Sequence, residues 1–286
     1  MLLFTIVWLY GGREPKVLSS IAASFDMDLL EGFRNKLTSG VNDAGRASML
    51  TFSAFRAIFK RPYELSAIFK QLYHIGVKAL PVVLITGTVV GLVSAIQAFY
   101  QLKALSAQGM IGGFVSVSVI KELAPMLTAF VTAARVGTGI AAELGTMKVT
   151  EQIDALRAMA TSPVKYLVVP RLLACAIMLP MLVVFADVAG ILGGLLMSVY
   201  LGLTGSFFIQ QAQKFLFPAD VLAGLIKGMT FGVIIALVGC YRGLSASGGA
   251  EGVGRATASS AVNSFIFIII ADFLLNYGIY AVLRVG

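Results

Sequence analysis

The chain has 286 residues, of which 58% are hydrophobic and only 13% charged, with a mean hydropathy of +0.90. A soluble domain averages about 25% charged residues, so this composition excludes an ordinary water-soluble fold. The net charge of +8 does not point to nucleic acid, because the basic residues cluster in loops beside apolar runs, where membrane topology and anionic lipid account for them.

The opening MLLFTIVWLY is apolar but ten residues long, with no basic segment before it and no clear cleavage site after it. It reads as an uncleaved tail or interfacial segment. Residues 11 to 45 are polar and mixed. From Phe52 the apolar positions fall at Phe52, Phe55, Ile58, Leu65, Ile68, Leu72 and Ile75, with Arg56, Lys60, Arg61 and Lys70 between them. That spacing predicts a basic amphipathic helix lying in the membrane interface, split at Pro62.

Apolar runs of the length needed to cross a bilayer, around 20 residues, then recur. The first is expected over Ala79 to Leu102, with Gly87 and Gly91 forming a small-residue packing face. The second is expected from about Phe114 to Ala142, after a short outer segment, with Lys121, Glu122 and Pro125 interrupting it. A third run covers Leu172 to Leu203 and contains Pro180 and Asp187. A polar outer loop, Thr204 to Asp220, precedes a fourth span over Val221 to Tyr241, where Gly224, Gly228 and Gly232 repeat every four residues. Residues 242 to 260 read as a Gly/Ser/Ala-rich loop with a helix start near Ala256, and Ala261 to Leu283 as the fifth span. The expected fold is all-α: a polytopic membrane protein of about five transmembrane helices preceded by interfacial amphipathic helices. Residues 1–78 form the tail and interfacial part, and residues 79–286 the membrane domain. A β-barrel would show alternating ten-residue segments instead. The bias of Lys and Arg toward the N-terminal region and the loop after the second span places the N-terminus in the cytoplasm and the C-terminus outside.

Between the second and third spans lies Glu143 to Arg171, ELGTMKVTEQIDALRAMATSPVKYLVVPR. Thr150 is placed to cap a short helix, Glu151 and Asp154 load its first turn, and Ser162-Pro163 ends it. Ile153, Leu156 and Met159 recur on one side. The stretch is either an ordinary polar loop or a docking helix, at about 150–161, that presents an apolar edge to a soluble partner.

No lysine is followed by Ser or Thr, so the phosphate-binding G-x-x-x-x-G-K-[ST] loop cannot occur, and no nucleophile elbow or H-E-x-x-H motif is present. The single histidine, His74, has no ligand partners nearby in sequence, so no metal is expected, and no cofactor or catalytic residue either. The chain is not expected to hydrolyse nucleotide by the phosphate-binding-loop route, and no enzyme is expected. Ionisable residues at membrane depth are the functional candidates. Lys121 and Glu122 either mark the outer membrane boundary or face a cavity. Arg135, Glu143 and Asp272 are expected to pair within the bundle. Asp187 has no account in the sequence.

The runs Glu143-Leu-Gly-Thr-Met147, Thr150-Glu-Gln152, Asp154-Ala-Leu156 and Pro170-Arg171 resemble the central loop of MlaE-type permeases, the membrane subunits of Mce-associated lipid ABC transporters. The resemblance extends from about Ile58 to the C-terminus and includes Lys121-Glu-Leu-x-Pro125, a basic residue at Lys227, Ala134-Arg-x-Gly137 and Asp272-Phe273. It implies a coupling helix seated in an ATPase subunit, with Glu143, Gly145, Thr146, Met147, Glu151, Ile153, Asp154, Leu156 and Met159 as coupling residues. It implies a lipid pocket open to the outer side near Lys121, Glu122, Leu123 and Lys227, with Leu102 and Leu105 as candidate acyl-chain wall. The two lysines would suit an anionic head group. The implied assembly is a homodimer in the inner membrane with two ATPase subunits and an Mce-domain substrate-binding protein. Phospholipid or a related lipid is the implied cargo. The alternative from the residues alone is an ion-coupled secondary transporter using Asp187, Glu122 and Asp272, although no internal repeat is visible.

Overall fold

The computed structural model describes residues 42–43, 45–58 and 65–283. The apolar N-terminal ten residues and Pro62 lie outside them. Contacts divide the chain into Met1–Met49 and Leu50–Gly286. Of the first unit, residues 42–43 and 45–49 are described and are helical. The second unit carries every feature discussed below.

Its described elements are all helical. Residues 50–58 form α1, followed by α2 (Leu65–Leu72). A wide (π) turn, Tyr73–Val77, joins α2 to α3 (Leu80–Ala104). The second membrane segment is α4 (Ile111–Ser118), α5 (Ala124–Thr132) and α6 (Thr138–Val149), linked by π turns at Val119–Leu123 and Ala133–Gly137. The short α7 (Gln152–Ala158) precedes α8 (Val169–Tyr200), α9 (Gly205–Phe215), α10 (Pro218–Leu244) and α11 (Gly249–Leu283). Five helical segments are long and apolar enough to cross a membrane: Leu65–Ala104, Gln108–Val149, Val164–Tyr200, Pro218–Leu244 and Gly249–Ile279. The protein is an all-α polytopic membrane protein.

Three expectations change. The outer stretch before the fourth span is not a loop: Gly205–Phe215 is helical, because Phe208 and Ala212, four apart, bury one face against the bundle. The last helix begins at Gly249, seven residues before the expected start at Ala256, since its Gly/Ser/Ala composition lets it pack closely rather than unwind. Glu143 to Met147, expected in the central loop, are the last turns of α6.

Small residues set the packing. A Cβ on Gly91 would overlap the Gly190 carbonyl oxygen of α8, and one on Gly232 would overlap the Cys175 carbonyl. The backbones therefore touch at these points, as the four-residue glycine spacing implied. Outside this core, α8 exposes Ile177, Met181, Phe185, Val188, Leu192 and Leu196, and α11 exposes Ile266, Phe267, Ile270 and Phe273. Apolar area of that extent is stable only against lipid or another apolar surface.

Candidate functional site

The site begins with a proline. An α-helix would offer the Lys121 carbonyl the N–H of the residue four positions on, and Pro125 has none. Here the chain takes the π turn Val119–Leu123, and the carbonyl is met from outside: Lys227 Nζ of α10 donates to Lys121 O at 2.8 Å. The same ammonium donates to Glu122 Oε2 at 2.8 Å and lies 3.1 Å from Asp272 Oδ1, an ion pair outside hydrogen-bonding alignment. Asn276 Nδ2 donates to Glu122 Oε2 and to Asp272 Oδ2, both at 3.2 Å. Lys121 Nζ pairs instead with Asp220 Oδ1 at 2.9 Å, and the other Asp220 oxygen accepts the Phe217 N–H at 3.1 Å, capping α10.

Helices from three spans thus converge on one cluster. Lys227 is 1% exposed, and an ammonium buried so completely is tolerated only with its donors occupied. Glu122 and Lys121 are the open rim, with side chains 39% and 27% exposed. The formal charge of the cluster is two lysines against Glu122, Asp220 and Asp272, +2 − 3 = −1. Lys227 directs two of its three N–H donors to Lys121 O and Glu122 Oε2 and pairs with Asp272, so its charge is balanced within the bundle.

The three leucines divide. Leu123 lines a small cavity with Thr86, Val90, Val119 and Leu127, and its space of about 10 Å³ holds roughly one water. Leu102 packs in the same apolar cluster as Leu123. Leu105 is 74% exposed beyond the end of α3 and is not brought to the cluster.

The central helix also differs from its expected form. Glu151 stands before it at φ +60° and Ala160 after it at φ +55°, left-handed conformations that turn the chain sharply at both ends. Thr150 does not cap it; its hydroxyl donates to Thr146 O at 2.8 Å and closes α6. Ile153 is not part of an outward edge. It is fully buried in the protein's own core with Ala54, Leu144, Leu167 and Leu172, and Leu156 packs half-buried against that core. Met159 is 67% exposed, flanked by exposed Ala155, Ala158 and Ala160. Asp154 pairs with Lys148 at 3.1 Å and Arg157 at 2.9 Å, and the Lys148 hydrogen bond holds its carboxyl below the usual 3.8. Glu143 is held at 2.9 Å by Arg171, which is 4% exposed and also donates to Leu167 O. Gly145 faces Ala246 and Val253, Thr146 bonds back to Ala142 O at 2.8 Å, and Met147 packs on the core.

The family model described as Permease MlaE matches residues 68–277. This chain belongs to the MlaE permease family. It is 43% identical over 233 residues to a probable ABC transporter permease protein of Rickettsia prowazekii, covering 81% of this chain and 90% of that one. It is 40% identical over 247 residues to a probable ABC transporter permease of Synechocystis, covering 86% and 94%. It is 39% identical over 209 residues to TRIGALACTOSYLDIACYLGLYCEROL 1, a chloroplastic protein of Arabidopsis thaliana, covering 72% of this chain and 59% of that one. The chain is therefore an ABC transporter permease, a class that works with an ATPase partner.

In this MlaE-family permease the cluster residues missed by sequence reading are Asp220 and Asn276. Both had a signal: Asp220 is an acid two residues after the Pro218 helix start, and Asn276 lies one helical turn beyond Asp272. Expected pairing holds for Glu143 and Asp272, whereas the Arg135 side chain makes no hydrogen bond or ion pair among the described residues. Asp187 is buried with Oδ1 unpartnered among the described residues, and nothing in the structure explains it.

Proposed function

We propose that this permease moves phospholipid or a related lipid between membranes, driven by ATP hydrolysis in a separate subunit. The observation that carries the reading is the buried Lys227–Glu122–Asp272 cluster with Lys121 and Glu122 at its open rim. An ion cluster at membrane depth is a substrate site by default, and its formal charge of −1 refines the substrate. A purely anionic head group is a poor match. A head group that brings its own donors, an ammonium or sugar hydroxyls, pairs with Glu122 while Lys121 meets its phosphate or ring oxygens. The sugar lipid in the Arabidopsis relative's name accords with this. The cavity at Leu123 is too small for an acyl chain, which supports a pocket completed by a second copy, in a homodimer.

The rest of the assembly follows the same reading. Two ATPase subunits dock at α7, through Asp154 and Leu156, and at its flanking residues Glu151 and Met159, with Glu143, Gly145, Thr146 and Met147 supporting that surface from α6. An Mce-domain protein covers the opposite face. The N-terminus is cytoplasmic and the membrane is the inner one. Ion-coupled transport through Asp187, Glu122 and Asp272 is disfavoured at Glu122 and Asp272, whose charges are balanced by Lys227.

The test is the lipid that co-purifies with the complex. Lys121→Gln/Glu122→Gln should reduce bound lipid by about tenfold, the effect of losing one charge-assisted contact, while ATPase association survives. An unchanged lipid load in that variant overturns the site assignment.

A further inference from the structure

A second cavity opens at the α7 end of the bundle, away from the cluster. Gln71, His74 and Lys78 line it from the start of the first span, and Arg135, Gly139 and Glu143 from the second. Its volume is about 230 Å³. Roughly 10–15 Å³ of such space holds one water, so the cavity admits a phosphate group with its hydration. Two π turns shape it, Tyr73–Val77 on one wall and Ala133–Gly137 on the other. Such turns are rare, and they recur at functional positions.

The charges in this cavity are unbalanced. Glu143 is neutralised by Arg171, which is not part of the lining. That leaves Lys78 and Arg135, a formal +2. Lys78 Nζ donates to His74 Nδ1 at 3.3 Å. An ammonium cannot accept, so Nδ1 is the acceptor in this contact, and Nε2 is the ring nitrogen left for another partner. Arg135 is exposed, and no described residue pairs with it. A guanidinium within a membrane-span segment, facing a hollow with no ion-pair partner among the described residues, calls for an anion.

Leu65 and Phe69 of α2 and Tyr73 of the following turn are 62%, 67% and 61% exposed at four-residue spacing, an apolar stripe suited to lipid contact. Lys78 follows little more than one turn later on the same segment.

We propose that this cavity binds a phosphate group at the head-group level of the leaflet on the α7 side. Arg135 supplies a planar fork to two phosphate oxygens, and Lys78 and His74 complete the shell. The occupant would tie the first span to α6, whose end leads directly into α7. A lipid head group and a small soluble phosphate ester share this chemistry. The proposal goes beyond the transport reading and does not require the cargo to be lipid.

The test uses the full-length protein in detergent, with phosphatidylglycerol counted by native mass spectrometry and glycerol 3-phosphate titrated calorimetrically. Arg135 has no described partner to lose, so Arg135→Gln should fold normally. It should retain phosphatidylglycerol at least about tenfold more weakly, the effect of losing a charge-assisted bond. Arg135→Lys should recover only part, because a point charge replaces the fork. Binding of glycerol 3-phosphate that is lost in Arg135→Gln also supports the site and assigns it a soluble ligand. If both probes bind Arg135→Gln as they bind the wild type, the proposal is overturned. Glu122→Gln perturbs only the outer cluster. Lost transport there with Arg135-dependent retention intact separates failure of one proposal from failure of the other.

Discussion

Replacing Lys227 by Met keeps the length of the side chain and removes its ammonium. The loss can be worked from the geometry: two hydrogen bonds at 2.8 Å and an ion pair at 3.1 Å disappear, leaving Glu122 and Asp272 facing each other across Asn276. Removing one partner of a buried ion pair costs about 3–5 kcal/mol. Glu122 is 39% exposed and rehydrates, whereas Asp272 is 14% exposed and does not, which argues for the lower end, about 3 kcal/mol. At about 2–4 °C per kcal/mol for a domain of this size, Tm should fall by about 6–12 °C. The protein carries its own probe: Cys175 and Cys240 are free and fully buried, so a thiol-reactive dye reports unfolding. Lys227→Met/Asp272→Asn removes the stranded charge that water cannot reach and should regain most of the loss. A Lys227→Met protein within about 2 °C of wild type, or a double variant no better than the single one, would refute the reasoning.

Two more predictions concern the central helix and topology. Ile153→Asp places a charge in the protein's own core and should abolish purification of folded protein, while Met159→Asp, at an exposed position, should purify with unchanged Tm but lose the co-purifying ATPase; if Met159→Asp retains its ATPase, the docking surface lies elsewhere. In a chain lacking Cys175 and Cys240, single cysteines at Ser162 and Gln213 should label from opposite sides of the membrane, and labelling from one side contradicts the described spans.

The spans were legible because bilayer thickness imposes a run length that few other constraints mimic, and the glycine spacings were legible because only backbone contact needs them. The central helix was misjudged for a reason that periodicity cannot reveal. Ile153, Leu156 and Met159 share a helical face in sequence, but α7 is seven residues long and enters through Glu151 at φ +60°, so the turn decides which residue points inward. Ile153 then fills the core and only Met159 is left outside. The cluster was half legible. Lys121, Glu122 and Lys227 stood out as charges in apolar runs, yet their sum could not be seen without Asp220, which reads as a helix start, and Asp272, whose partner lies 45 positions away in the chain. Pairing across spans is a tertiary fact, and it changes the chemistry: two lysines that suggested an anion trap form a site with net negative charge, while Lys78 and Arg135, on the α7 side, line a cavity without an ion pair among the described residues. On the proposed reading, an asymmetry of that kind would give one lipid different partners at the two ends of its path: Glu122 would hold the head group's donors at one end, and Arg135 its phosphate at the other. Direction of movement would then be set by which end the ATPase cycle opens, and not by affinity for head-group charge alone.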